Sequence, residues 1–153
     1  LWSRRGLRAE YGIDAYFRTK AAGQKDIEEL ESVDAQLAML SGLSDQEHIL
    51  LLSWDTEDLE QGVQELDELL RIWQRGDSEA MEQALRRDIQ DEPRFEPMWD
   101  IMVNDRNLGM ADHIVAFLAS TKRYFVVVGA AHLIGRQGLV ALLQQRGYAV
   151  QQL

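Results

Sequence analysis

Four polar side chains stand where apolar segments give way: Glu31, the neighbours Arg106 and Asn107, and His132. A glutamate with a histidine can bind a divalent metal, or serve as an acid and a base. An arginine beside an asparagine offers fixed donors for a carboxylate or a developing oxyanion. Each residue also has a plainer reading. Glu31 suits the first turn of a helix, where a carboxylate complements the macrodipole. Arg106 suits a surface ion pair, and His132 a cap or a core position. The other two histidines read as structural or surface residues. His48 opens a helix-like apolar stretch, and His113 lies on a helix face after Asp112.

The surroundings of His132 carry the most information. Residues 124–150 read YFVVVGAAHLIGRQGLVALLQQRGYAV. Five strand-type residues lead to Gly129, and His132 comes three positions later. Gly135 and Gly138 follow, then an amphipathic helix closed by Gly147 and a short strand at 149–151. In open α/β sheets, ligands collect in the crevice outside the carboxyl ends of the strands, where this loop falls. A second strand at 26–30 would bring Glu31 to the same edge if the two strands are parallel neighbours.

The rest of the chain reads as helices. Residues 11–22 form one, stopped by Gly23, and Ser32 caps another carrying Val33, Leu37 and Leu40. Asp55 or Thr56 caps a third, whose stripe is Leu59, Val63, Leu66, Leu70 and Trp73. Met81, Leu85 and Ile89 mark a fourth. Pro93 and Pro97 interrupt the pattern before Met98, Trp99 and Met102 resume it. A polar hinge at 105–109 precedes a helix through Ile114, Phe117 and Leu118. The order predicts a small, mostly parallel α/β sheet with flanking helices and a helical insertion at about residues 44–120. Val126, Val127 and Val128 are expected among the most buried residues, as befits a central strand.

Composition narrows the partners. At 153 residues the chain fits one domain. A net charge of −10 argues against nucleic acid, which rewards clustered Lys and Arg. The acidic residues fall mostly on helix faces and suit solubility. The apolar runs are too short to span a bilayer, and the absence of cysteine excludes disulfides and thiolate chemistry.

Taken in order, several motifs are similar to the TraB/GumN family. They are Gly12-Ile13-Asp14-x-Tyr16-Phe17, Leu30-Glu31-Ser32-x4-Gln36, Trp73-x2-Gly76-Asp77, Arg106-Asn107-x2-Met110-Ala111, Val128-Gly129-x2-His132-x2-Gly135-x2-Gly138 and Gly147-Tyr148. That family includes the pheromone-shutdown protein PrgY and is related to the Tiki proteases, within the erythromycin esterase/ChaN-like superfamily. The resemblance implies an α/β fold of two related halves, each bringing a Gly-x-x-His motif to a shared site. It implies that Glu31, Arg106, Asn107 and His132 are site residues, with Glu31 and His132 toward a divalent metal. It further implies a metal-dependent, peptidase-like hydrolase acting on peptides in the cell envelope or periplasm, the alternative being a module that binds or sequesters a peptide or small ligand without turnover. Asp105 stands where the family more often has Glu, and no upstream Gly-x-x-His is present. The chain, which begins at Leu1, is therefore expected to be the C-terminal half to two-thirds of such a protein. It should pair with the missing N-terminal half or a second copy, and should lack full activity alone.

Overall fold

The computed structural model describes residues 6–54 and 59–153. The described residues form helices: α1 (Ile13–Ala21), α2 (Val33–Ser41), α3 (Asp45–Trp54), α4 (Leu59–Arg75), α5 (Ser78–Leu85), α6 (Arg87–Asp91), α7 (Glu96–Trp99), α8 (Asp105–Leu118) and α9 (Leu139–Gln145). Local chemistry sets several of their ends. Ser32 caps α2 by accepting from the Ala35 amide at 3.1 Å, and Asp77 caps α5 through Ala80 at 3.0 Å. Ser44 and Glu47 form a reciprocal capping box at α3: the Ser44 amide donates to Glu47 Oε2 at 2.7 Å, and the Glu47 amide to Ser44 Oγ at 3.3 Å. Gly76 and Gly147 follow α4 and α9 at φ of 65° and 88°, the left-handed conformation that lets a helix stop. The proposed caps Asp55 and Thr56 lie outside the described residues.

Residues 96–118 run as one helical rod with a single π turn, Asp100–Asn104, between α7 and α8. There the Asp105 amide reaches back five residues to the Asp100 carbonyl. Pro93 and Pro97 sit in the first turns of a 3-10 turn and of α7, where a missing N–H is no loss, so they open helices rather than break one. The predicted hinge at 105–109 is instead the start of α8.

Two apolar clusters hold the fold. Met110, Ala111 and Ile114 of α8 pack with Leu139 and Leu142 of α9, and Leu30 and Val128 lean on them. Ile89, Phe95, Trp99 and Val103 form the second cluster, joined by Ala131. Arg106 and Asn107 fall between Val103 and Met110 on the rod, so they lie at the junction of the two clusters. The His132 loop is strung across the same junction, through Val128 and Ala131.

The predicted mostly parallel sheet is not formed. Among the described residues there is no strand, and residues 26–30, 124–128 and 149–151 pair with nothing as a ladder. Phe125 is 72% exposed and Val126 37%, against the burial expected of a central strand. A β-branched run suits a pleated surface, but a strand exists only where a neighbour takes its N–H and C=O groups. Among the described residues no segment lies alongside these three to form a hydrogen-bonded ladder. Trp73, placed in the stripe of α4, is also exposed, while Leu66 and Ile72 of that helix enter the core; the side chain of Leu59 lies outside the described residues.

Candidate functional site

The site is assembled by α8. Arg106 donates its Nη1–H to the Met102 carbonyl at 2.9 Å, one turn back in the π segment. That bond turns the rest of the guanidinium toward Glu31. Nε–H meets Oε1 at 3.0 Å and Nη2–H meets Oε2 at 2.7 Å, a bidentate pair joining residues 75 positions apart. Both side chains are largely covered, 21% and 16% exposed.

Asn107, the next residue, meets different partners and is fully buried. Its Nδ2 donates to the Gln137 carbonyl at 2.8 Å. Because a carbonyl only accepts, the amide orientation is settled and Oδ1 must face His132, whose Nδ1 is 2.8 Å away. Nδ1 therefore carries the hydrogen, and Nε2 is left with its lone pair. No buried side-chain nitrogen or oxygen among the described residues lacks a partner, so Nε2, which makes no such bond, is open to solvent. Burial pushes the His132 pKa below its ordinary value, and the Arg106 charge pushes it the same way. Glu31 opposes both. The ring is neutral near pH 7, with Nε2 ready to take a proton or a metal.

The glycines after His132 explain its spacing. The Gly129 carbonyl accepts from the His132 amide at 3.0 Å, closing the 3-10 turn Ala130–His132 that presents the ring. Gly135 has φ of 76°, and a Cβ there would come 2.7 Å from Glu82 Oε1. A Cβ on Gly138 would collide with the Ile134 backbone. These two positions let the chain turn tightly enough to aim the Gln137 carbonyl at Asn107. A cavity of about 330 Å³ opens beside this turn, lined by Glu82, Arg86, Trp99, Asn104, Arg136 and Gln137 among others.

The structure thus brings the four residues singled out in the sequence together, as two linked pairs on adjacent positions of one helix. Three contributors were not singled out. Gln137 acts through its backbone and has no side-chain signature. Met102 does the same. His113, read as structural or surface, donates to the Leu30 carbonyl at 2.7 Å, beside Glu31. Its signal was spacing: it lies seven residues after Arg106, two turns along the same side of α8. Among the described residues the His48 ring bonds the Ser44 carbonyl, away from these four side chains.

A divalent metal is poorly served by these residues alone. Both Glu31 oxygens are held by Arg106, and among the described residues no three His, Cys, Asp or Glu side chains gather. His132 Nε2 is the single available donor, where a catalytic site of the zinc type uses about three protein ligands.

The model of the TraB/PrgY/gumN family matches residues 3–152. The chain belongs to this family. Among curated proteins it is similar to uncharacterised protein YbaP of Escherichia coli (strain K12), 32% identical over 145 residues, which cover 91% of this chain and 50% of the relative. YbaP of Shigella flexneri matches to the same extent. The chain spans about half the length of the curated relatives it matches. No solved structure matches it. Among the described residues no helix is long and apolar enough to cross a membrane.

Proposed function

We propose that this TraB/PrgY/gumN chain carries part of a hydrolytic site acting on peptides, with His132 as its proton acceptor. The observation that supports it is the chain of bonds from the Gln137 carbonyl through Asn107 to His132 Nδ1. Such a third group fixes the tautomer of a catalytic imidazole and frees Nε2 to take a proton from an attacking water. Arg106 and Glu31 are the electrostatic frame. Their charges act on the ring in opposite directions. The cavity beside the Gln137 turn, lined by Gln137 but by none of Glu31, Arg106, Asn107 and His132, offers a peptide segment room nearby. Asn107 has both amide groups engaged and no surface, so its role is to position His132. The divalent metal implied by the family resemblance would find one ligand here, His132 Nε2, and would need others beyond those the described residues gather.

The relatives' greater length, and the exposed Val33, Leu37 and Phe125 side chains, support a site completed by polypeptide equivalent to their remaining half. A second reading is favoured by the closed Arg106–Glu31 pair. A ligand carboxylate could displace Glu31 from the arginine fork and be held without turnover.

Metal analysis and a peptide-cleavage screen on the full-length protein test the proposal. Cleavage that His132→Ala reduces by about a hundredfold or more supports general-base hydrolysis. Peptide binding without cleavage, weakened by Arg106→Met, supports the second reading instead. Cleavage untouched by His132→Ala removes the site from the chemistry.

A further inference from the structure

The segment carrying Glu31 is thinly anchored. Among the described residues, 26–31 make no backbone–backbone hydrogen bond. Asp26 has a long, exposed pairing with Lys122 at 3.4 Å, and the Leu30 side chain rests on the Met110 cluster. An ion pair on a segment this loose has to order the backbone that bears it, which works against the pair. His113 supplies the missing restraint. Its Nδ1 lies 2.7 Å from the Leu30 carbonyl, and since that oxygen only accepts, Nδ1 is the donor.

Arg106, Met110 and His113 follow one another along the same side of α8 at spacings of four and three. The helix therefore grips the segment at three successive heights. Arg106 holds the Glu31 carboxylate, Met110 belongs to the cluster under Leu30, and His113 holds the carbonyl of the residue before Glu31. One contact alone would leave the segment free to swivel about it. A side-chain grip and a backbone grip on adjacent residues fix its direction.

We propose that His113 is a positioning residue of this site: by holding the Leu30 carbonyl it keeps the Glu31 carboxylate docked in the Arg106 fork. The inference rests on reading Glu31, Arg106, Asn107 and His132 as one site, and extends that site by a residue that touches none of the reacting groups. Its chemistry is that of a neutral or charged hydrogen-bond donor at one point in space, with no requirement for an imidazole as such.

The Arg106 Nε–H is the reporter, since it is shielded from exchange only while Glu31 holds it. In full-length protein labelled with 15N at arginine, its exchange rate is measured in the wild type and in three variants. His113→Phe keeps a ring and removes the donor. His113→Asn places an amide N–H close to where Nδ1 stood. Glu31→Ala, which removes the acceptor, calibrates the undocked state. We expect His113→Phe to speed exchange by about tenfold toward the Glu31→Ala value, and His113→Asn to restore it to within about threefold of the wild type. If the phenylalanine perturbs the fold, His113→Ala at this exposed position makes the same comparison. Unchanged exchange in the donorless variants, or no recovery in His113→Asn, overturns the role. Cleavage is not the readout, so failure of the hydrolase reading leaves this result standing. Failure here in turn leaves His132 free to act as proposed.

Discussion

Replacing Asn107 by alanine removes the one side chain that links the Gln137 carbonyl to His132. Both bonds are 2.8 Å long and the residue is fully buried. Each intramolecular hydrogen bond contributes about 1 kcal/mol net, and a buried group left without its partner costs about 1–3 kcal/mol. The Gln137 carbonyl faces the vacated space and has no substitute among the described residues, whereas His132 is half-buried and can recover water. The sum is a loss of about 3 kcal/mol, a large part of the stability of an ordinary domain. At this chain length that lowers Tm by about 6–12 °C. Thermal or urea unfolding near neutral pH measures it, and long-range 15N–1H correlation spectra read the His132 tautomer in the same sample. We expect the wild type to show the Nδ1–H form alone and Asn107→Ala to show a mixture. Asn107→Asp separates the two bonds: it keeps an acceptor for Nδ1 but turns an oxygen toward the Gln137 carbonyl, so the tautomer survives while stability falls. A stability loss below about 1 kcal/mol together with an unchanged tautomer in Asn107→Ala would refute the linkage.

Three further outcomes follow from the same geometry. Because burial and Arg106 lower the His132 pKa from 6.5, the unfolded chain binds that proton more tightly than the folded one, so the ring's contribution is full above about pH 6.5 and is lost as pH falls through the lowered folded value. Wild-type stability should therefore decline toward about pH 5 more steeply than that of His132→Gln; parallel pH profiles from urea titrations would contradict the burial of a neutral ring. A double-mutant cycle of Arg106→Met with Glu31→Gln should return a coupling of about 1–3 kcal/mol, above that of exposed pairs, because both side chains are mostly covered. A coupling near zero would mean the bidentate pair is not maintained in solution. Gly138→Ala should destabilise by about 2 kcal/mol or more, since its Cβ strikes backbone that cannot move alone, whereas Gly129→Ala meets nothing nearer than His132 Cδ2 at 3.7 Å and should stay within about 1 kcal/mol. Equal effects at the two glycines would show that the turn does not depend on the close approach at Ile134.

What was legible in the sequence was what neighbours along the chain decide. The Ser32 cap, the stop of α9 at Gly147 and the helical α4 all depend on groups a few residues apart, so their patterns could be read directly. The family resemblance pointed to Glu31, Arg106, Asn107 and His132, and the structure brings them together. That the expected sheet does not form among the described residues was not legible. Residues 124–128 have the composition of a strand, but pairing is a property of two segments, and the valines record only a preference for it. Nor could the division of labour at 106 and 107 be read. Two adjacent polar residues on a helix point about 100° apart, so Arg106 meets Glu31 while Asn107 meets His132, and only the packing of α8 between two apolar clusters decides which face receives which partner. His113 and the Gln137 carbonyl belong to the same class: a donor two turns along a helix and a backbone oxygen in a glycine turn acquire their roles only when distant segments are laid against them.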